Sequence, residues 1–257
     1  MADERKRLWY RIYAAYDTET TNIGVGAATR AYTVCYQVNT LRECNLCTYE
    51  PGVSDAISIF RDPAEMLAYI ADAIAWGRRN ECIPVICGYN IMFDLQPLMR
   101  SLADRYQMAV NAQSSTNVYT LDIVDDEGGV KLRFWDTYHL EMRGLAAMGE
   151  TAGLAKATGE WDYTLVRTPD TPLTDKEIYY ASRDVQVIPA YLRYLLEANE
   201  WLQPSMLGCR VLTKTSIVRN MARLEIGPLR FRKRNGKPMS LLEAFEVTCA
   251  QELPRDF

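Results

Sequence analysis

The chain has 257 residues, 48% of them hydrophobic and 24% charged, which is enough apolar material for one sizeable core with a smaller appendage and too much for a disordered chain. Its formal charge of −4 excludes a uniformly basic nucleic-acid binder, yet nine Lys or Arg face a single acid, Glu225, between Arg210 and Lys237, so a basic C-terminal segment follows an acidic body. No apolar run of about 18 residues is present and the N-terminus lacks the apolar core of a signal peptide, so a cytoplasmic protein with no membrane partner is expected.

Residues 9–17 are rich in aromatic and β-favouring side chains and read as a strand that delivers Asp17 at its C-terminal end. Residues 31–38 and 44–49 read as two further strands of an antiparallel meander around a turn at Asn39-Thr40. Asp62-Pro63-Ala64-Glu65 combines an N-cap acid, a proline at the first helical position and an acid three residues after the cap, which predicts a helix over 63–76. The apolar run 83–87 predicts a strand buried on both faces, and the segment after it feeds a helix through about Arg105. Strands over 117–124 and 129–136 flank the turn Asp125-Asp126-Glu127-Gly128-Gly129. Asp122 and the acids of that turn read as a solvated loop, Asp136 as a cap of the next element, and His139 as structural.

Thr174-Asp175-Lys176-Glu177 is a capping box for a long helix ending near Asn199. Beyond a boundary near Gln203-Pro204-Ser205 or Gly208, a helix over about 207–224 and a basic hairpin around Asn235-Gly236 are expected. The seven cysteines are odd in number and scattered through apolar segments, which favours reduced packing residues over a disulfide framework. Cys44-Asn45-Leu46-Cys47 is a lone pair in a predicted strand, short of the ligands a zinc site needs. Together these elements predict an α/β fold, a mixed sheet covered by helices.

Three acidic segments occur in order: Tyr16-Asp17-Thr18-Glu19-Thr20, Asn90-Ile91-Met92-Phe93-Asp94 and Tyr180-Ala181-Ser182-Arg183-Asp184. Asp17 and Glu19, two apart on a strand, share a face, and Tyr180 and Asp184, four apart on a helix, are stacked neighbours. Carboxylate oxygens suit hard Mg²⁺ or Mn²⁺, and two such ions are the apparatus of phosphodiester hydrolysis.

These segments resemble the Exo I (D-x-E), Exo II (N-x-x-[FY]-D) and Exo III (Y-x-x-x-D) motifs of the 3′→5′ proofreading exonucleases of family B DNA polymerases, in the tyrosine-bearing branch of the DEDD, RNase H-like superfamily. The Asp-x-Glu-Thr-Thr form of the first motif is similar to that of protein-primed polymerases. The likeness continues in Gly159-Glu160-Trp161-Asp162-Tyr163 and over 173–188, and is weaker in Leu212-Thr213-Lys214-Thr215-Ser216-Ile217. It implies an RNase H-like exonuclease domain over 1–205 and a basic segment over 206–257 leading toward a polymerase palm, whose D-x-x-S-L-Y-P and D-T-D signatures are missing from this chain. It implies metal binding by Asp17, Glu19, Asp94 and Asp184, with two Mg²⁺ or Mn²⁺ ions, and a water-orienting Tyr180. Thr20, Asn90 and Phe93 match positions that contact single-stranded DNA. Thr137-Tyr138 stands where the family has a Ser/Thr-Leu pair, which makes Thr137 a DNA ligand and Tyr138 a stacking residue. The helical lysine found near Exo III in many relatives is missing, since Ser182-Arg183 precedes Asp184. The implied partners are a single-stranded DNA 3′ end, a polymerase domain in cis or trans and a terminal priming protein. The readings set against this one are a free-standing exonuclease of the same fold acting on short DNA or RNA, and a non-catalytic module that grips a primer or a partner protein.

Overall fold

In a computed structural model the described residues are 9–23, 30–114, 117–159, 161–163, 165–168 and 170–226. Among these residues, seven strands form one sheet in the order β3-β2-β1-β4-β7-β6-β5: β1 (Trp9–Ile23), β2 (Arg30–Thr40), β3 (Ile57–Phe60), β4 (Cys82–Gly88), β5 (Gln107–Ser114), β6 (Asn117–Val124) and β7 (Val130–Asp136). β1 pairs in parallel with β4, and β4 with β7, while all other pairings are antiparallel, so the sheet is mixed. The fold is therefore α/β with a mixed sheet flanked by helices, as the sequence predicts.

β2 shows how the layers are divided, because successive strand residues point to opposite faces. Tyr36 and Val38 join the large apolar cluster with Met66, Leu67 and Ile70 of α1 (Pro63–Arg79). Gln37 and Asn39 point the other way, toward the carboxylates of β1 and the Asp55 carboxylate. That opposite face is crossed by α6 (Asp175–Ala198), whose buried stripe includes Tyr180, Ala181, Asp184 and Val187. Both predicted capping boxes are present, at Asp62 with Glu65 and at Thr174 with Glu177. β4 is buried along its whole length, as its continuous apolar run requires.

Several expectations are corrected. Asp17 does not end its strand: β1 runs on to Ile23, but its parallel pairing with β4 stops at Ala15 opposite Cys87. The third strand of the meander is Ile57–Phe60 rather than 44–49, because the Asn45 side chain accepts from the Cys47 amide and caps a short 3-10 helix, Leu46–Thr48. Cys44 and Cys47 accordingly lie in a turn region instead of a strand. The helix after β4 is broken into α2 (Ile91–Leu95), a 3-10 turn containing Pro97, and α3 (Met99–Ala103), since proline has no N–H to continue an α-helix. The edge strand β5 was not foreseen; every residue but Met108 is exposed, so it carries no alternation to read. Short helices α4 (Tyr138–Glu141) and α5 (Leu145–Thr151) follow β7, and α7 (Lys214–Ile226) starts later than the predicted 207, after an isolated Leu207–Val211 bridge.

Asp122 is not a loop acid: it is 8% exposed in β6 and grips Arg133 of β7 at 2.7 and 2.6 Å, directly across the strands. His139 is structural, its Nε2 3.1 Å from the Val118 carbonyl oxygen. By contacts the chain divides into two compact units, residues 1–216 and 217–257, and the expected hairpin around Asn235-Gly236 lies outside the described residues. Among those described, no helix is long and apolar enough to cross a membrane.

Candidate active site

Beyond Ala15 the odd-numbered side chains of β1 project past the end of the parallel ladder, where α6 passes over them. Asp17, Glu19 and Asp184 each offer a carboxylate oxygen within 4.8 Å of the others. Glu19 and Asp184 are each 3% exposed and Asp17 is half-buried. Tyr180, one helical turn before Asp184, stands beside them with its hydroxyl 3.3 Å from that of Tyr163, which itself lies 3.4 Å from Glu19 Oε2. Val34, Cys35, Ala157 and Trp161 pack with Tyr180 into a small apolar cluster under this corner.

Asp94 stands slightly apart from that set, and strand alternation explains why. Tyr16 and Thr18 point opposite to Asp17 and Glu19, and both bond Asp94: the Tyr16 hydroxyl donates to its backbone oxygen at 2.7 Å and the Thr18 hydroxyl to Oδ1 at 2.6 Å. Gly88, at the close of β4, makes the approach possible, since a Cβ there would lie 2.9 Å from the Tyr16 carbonyl oxygen.

Crowding buried carboxylates raises the cost of ionising them. Burial, then Asp94 and Asp184, push Asp17 well above the usual carboxylate range. Burial, then Asp17 and Asp184, push Glu19 up to about 9. Asp94 is raised to about 8, mainly by burial, and Asp184 is raised by burial against the pull of Lys156. Lys156 Nζ lies 2.9 Å from Asp184 Oδ2 and 5.4 Å from the centre of the Tyr180 ring. Burial alone would lower the lysine, but Asp184, Asp17 and Glu19 outweigh it and raise the ammonium. The other oxygen of Asp184, Oδ1, is buried with no hydrogen-bond partner. An orphaned carboxylate oxygen among three converging acids fits a hard divalent cation, which would be held by Asp17, Glu19 and Asp184.

Lys156 places a cation beside Asp184 from a loop, and the sequence reading missed it because a lone lysine in Leu154-Ala155-Lys156-Ala157 has no spacing relation to any motif. Gln37 was missed likewise. Fully buried on β2, it donates from Nε2 to Asp17 Oδ2 at 3.0 Å and Glu19 Oε1 at 3.4 Å. The loop carrying Lys156 and Tyr163 is tied down by Arg167, 2% exposed, which pairs with Glu177 of α6 and donates to the Asp162 and Leu165 carbonyls at 2.6 and 3.1 Å.

The residues expected to touch DNA are dispersed around this corner. Thr20 follows Glu19 across a register shift in the sheet, partly exposed, with its carbonyl accepting from Trp161 Nε1 at 3.4 Å. Asn90 adopts the left-handed conformation, φ 57°, and its N–H donates to Asp136 Oδ1, which also accepts from the Tyr138 N–H. Asn90, Tyr138 and His139 line an open cavity of about 510 Å³ with Tyr89 and Met142. Phe93 is 47% exposed. Thr137 is not presented to solvent: it is 0% exposed and its hydroxyl donates to the Gly88 carbonyl at 2.8 Å.

No protein-family model and no curated protein sequence matches the chain. Solved structures do. The chain is similar to Phi29 DNA polymerase complexed with primer-template DNA and incoming nucleotide substrates, at TM-score 0.66 and 15% identity over 93% of this chain and 38% of that one. It is similar to the same polymerase complexed with single-stranded DNA, at TM-score 0.59 and 12% identity, covering 84% of this chain and 35% of that one. The chain thus spans little more than a third of the polymerases it resembles. At this identity the likeness establishes the fold: the mixed sheet with its flanking helices is the RNase H-like α/β arrangement found within Phi29 DNA polymerase.

Proposed function

We propose that this chain is a metal-dependent 3′→5′ exonuclease domain of the protein-primed family B polymerase lineage, hydrolysing single-stranded DNA ends. The observation that carries the reading is the convergence of Asp17, Glu19 and Asp184 beside Tyr180, with one Asp184 oxygen unpartnered, in a fold shared with Phi29 DNA polymerase. Asp17, Glu19 and Asp184 would hold Mg²⁺ or Mn²⁺, with Asp94 supporting a second ion. Bound at such a site, two divalent ions neutralise the phosphate and lower the pKa of water.

The protein's own groups do the rest. Tyr180 orients the attacking water through its hydroxyl, which burial pushes up to about 12. Lys156 fixes Asp184 and favours its charged form against the burial that raises its pKa. Asn90, Phe93 and Thr20 grip the terminal nucleotides, and the cavity around Asn90 takes a base. No covalent intermediate is involved. We assign the catalytic domain to residues 1–205 and the segment 206–257 to the connection with a polymerase domain, in cis or in trans, with a terminal protein as a further partner.

The test is incubation of the purified chain with a 5′-labelled unstructured oligonucleotide across a range of Mg²⁺ and Mn²⁺. A ladder shortening one nucleotide at a time from the 3′ end, lost in Asp17→Ala, supports the reading. An oligonucleotide left intact across both metals rejects it.

A further inference from the structure

Every hydrogen bond that a protein group makes to Asp17 or Glu19 restricts where a cation can sit, and one side chain makes such bonds to both. Gln37 lies directly opposite Asp17 in the antiparallel β1–β2 ladder, and Cys35 lies opposite Glu19. Directly opposed residues share a face, so Asp17, Glu19, Gln37 and Cys35 form a square of side chains beneath α6. The Gln37 Nε2 donates at 3.0 Å to Asp17 Oδ2 and at 3.4 Å to Glu19 Oε1, while its Oε1 accepts from the Cys35 thiol at 3.7 Å. Gln37 and Cys35 are both 0% exposed.

We propose that Gln37 is a positioning residue of the metal site, a neutral clamp that holds Asp17 and Glu19 in chelating orientation and leaves their charge for the ions. The choice of an amide follows from the local electrostatics. Lys156 already offsets Asp184, and a second buried cation between Asp17 and Glu19 would compete with the metals for the same carboxylates. An apolar residue would leave the carboxylates repelling each other, free to rotate apart. A glutamine supplies two N–H donors and no charge, and the Cys35 thiol on its carbonyl sets the sense of the amide so that NH₂ faces the acids. Groups that orient metal ligands typically matter by about 10- to 100-fold in metal affinity.

The inference rests on the metal-site reading above, and the experiment separates the two. Mn²⁺ alone is titrated into wild type, Gln37→Met and Asn39→Leu, followed by electron paramagnetic resonance of the free ion, with circular dichroism to establish folding. Asn39 sits two residues along the same face of β2 but bonds Asp55 and Tyr49 instead, so its substitution reports the cost of disturbing this strand without touching the clamp. Gln37→Met, which keeps the volume and removes the donors, is expected to weaken Mn²⁺ binding about tenfold or more, with Asn39→Leu near wild type. On a saturating oligonucleotide, kcat falls and KM holds. If wild type binds no Mn²⁺, the metal-site reading itself fails. If wild type and folded Gln37→Met bind equally within about twofold, the clamp is overturned while the site stands. Should Gln37→Met not fold, Gln37→Asn decides: its shorter amide cannot span both acids, and unchanged Mn²⁺ affinity in that variant equally overturns the clamp.

Discussion

Lys156 Nζ and Asp184 Oδ2 lie 2.9 Å apart, an ion pair between an irregular loop and the long helix α6 that places a fixed positive charge at the edge of the carboxylate cluster. Removing the ammonium leaves Asp184 buried against Asp17 and Glu19 without its counter-charge. Lys156→Met is therefore expected to lower the rate of single-nucleotide release about a hundredfold at neutral pH, with single-strand affinity little changed. Because Asp184 is then harder to ionise, the remaining activity should climb more steeply with pH than in wild type. A single-turnover pH series with an unchanged slope would remove Lys156 from the chemistry.

Substituting the cluster itself separates chemistry from binding. Asp17→Ala and Asp184→Ala are expected to lose about a thousandfold or more in rate, since a lost metal ligand removes stabilisation worth several kcal/mol in the transition state. Phe93→Ala, at a 47% exposed aromatic, should cost about 1 to 3 kcal/mol of single-strand affinity. Fluorescence anisotropy with a labelled oligonucleotide in EDTA measures the second effect alone; equal losses in both groups would undo the division of roles.

Tyr180→Phe preserves the ring that packs on Trp161 and removes only the hydroxyl. The chemical step should slow by about ten- to a thousandfold, the scale of losing one positioning group, while Mn²⁺ affinity stays as in wild type. A rate within about twofold of wild type at saturating Mn²⁺ would leave Tyr180 a packing residue.

The raised Glu19 carboxyl, at about 9, has a consequence for stability. Below about pH 4 both folded and unfolded states carry the proton; above it the unfolded state releases it first, so the folded state holds more protons and stability falls as pH rises toward about 9. In EDTA, Glu19→Gln should be more stable than wild type at about pH 8.5, with the advantage shrinking toward about pH 5. Mn²⁺ should reverse the order at high pH, because a cation bound only by the folded state stabilises it. Urea denaturation midpoints at the two pH values read all of this directly.

Arg167, 2% exposed and paired with Glu177, anchors the loop that bears Lys156. Arg167→Met removes the counter-charge of a buried carboxylate, leaving Glu177 only its Thr174 bonds, and should destabilise the protein by about 3 to 5 kcal/mol in chemical denaturation. A loss under about 1 kcal/mol would mean that water replaces the guanidinium there.

The residues that carry the proposed chemistry on β1 and α6 were legible because their geometry is local. A spacing of two on a strand puts Asp17 and Glu19 on one face, and a spacing of four on a helix stacks Tyr180 on Asp184, whatever the rest of the chain does. The capping boxes at Asp62 and Thr174 were legible for the same reason, each being a bond between residues three apart. The exposed edge strand β5 and the Asn45 turn escaped, one lacking alternation and the other settled by a side-chain cap that competes with a strand. What surrounds the acids was decided only in three dimensions. Gln37 meets Asp17 through sheet register, Lys156 meets Asp184 through a loop pinned by Arg167, and Asp94 is set apart by Tyr16 and Thr18 on the opposite face of β1. Partners brought together by the closing of the sheet and the docking of α6 leave no fixed spacing in the chain, so only the folded arrangement reveals them.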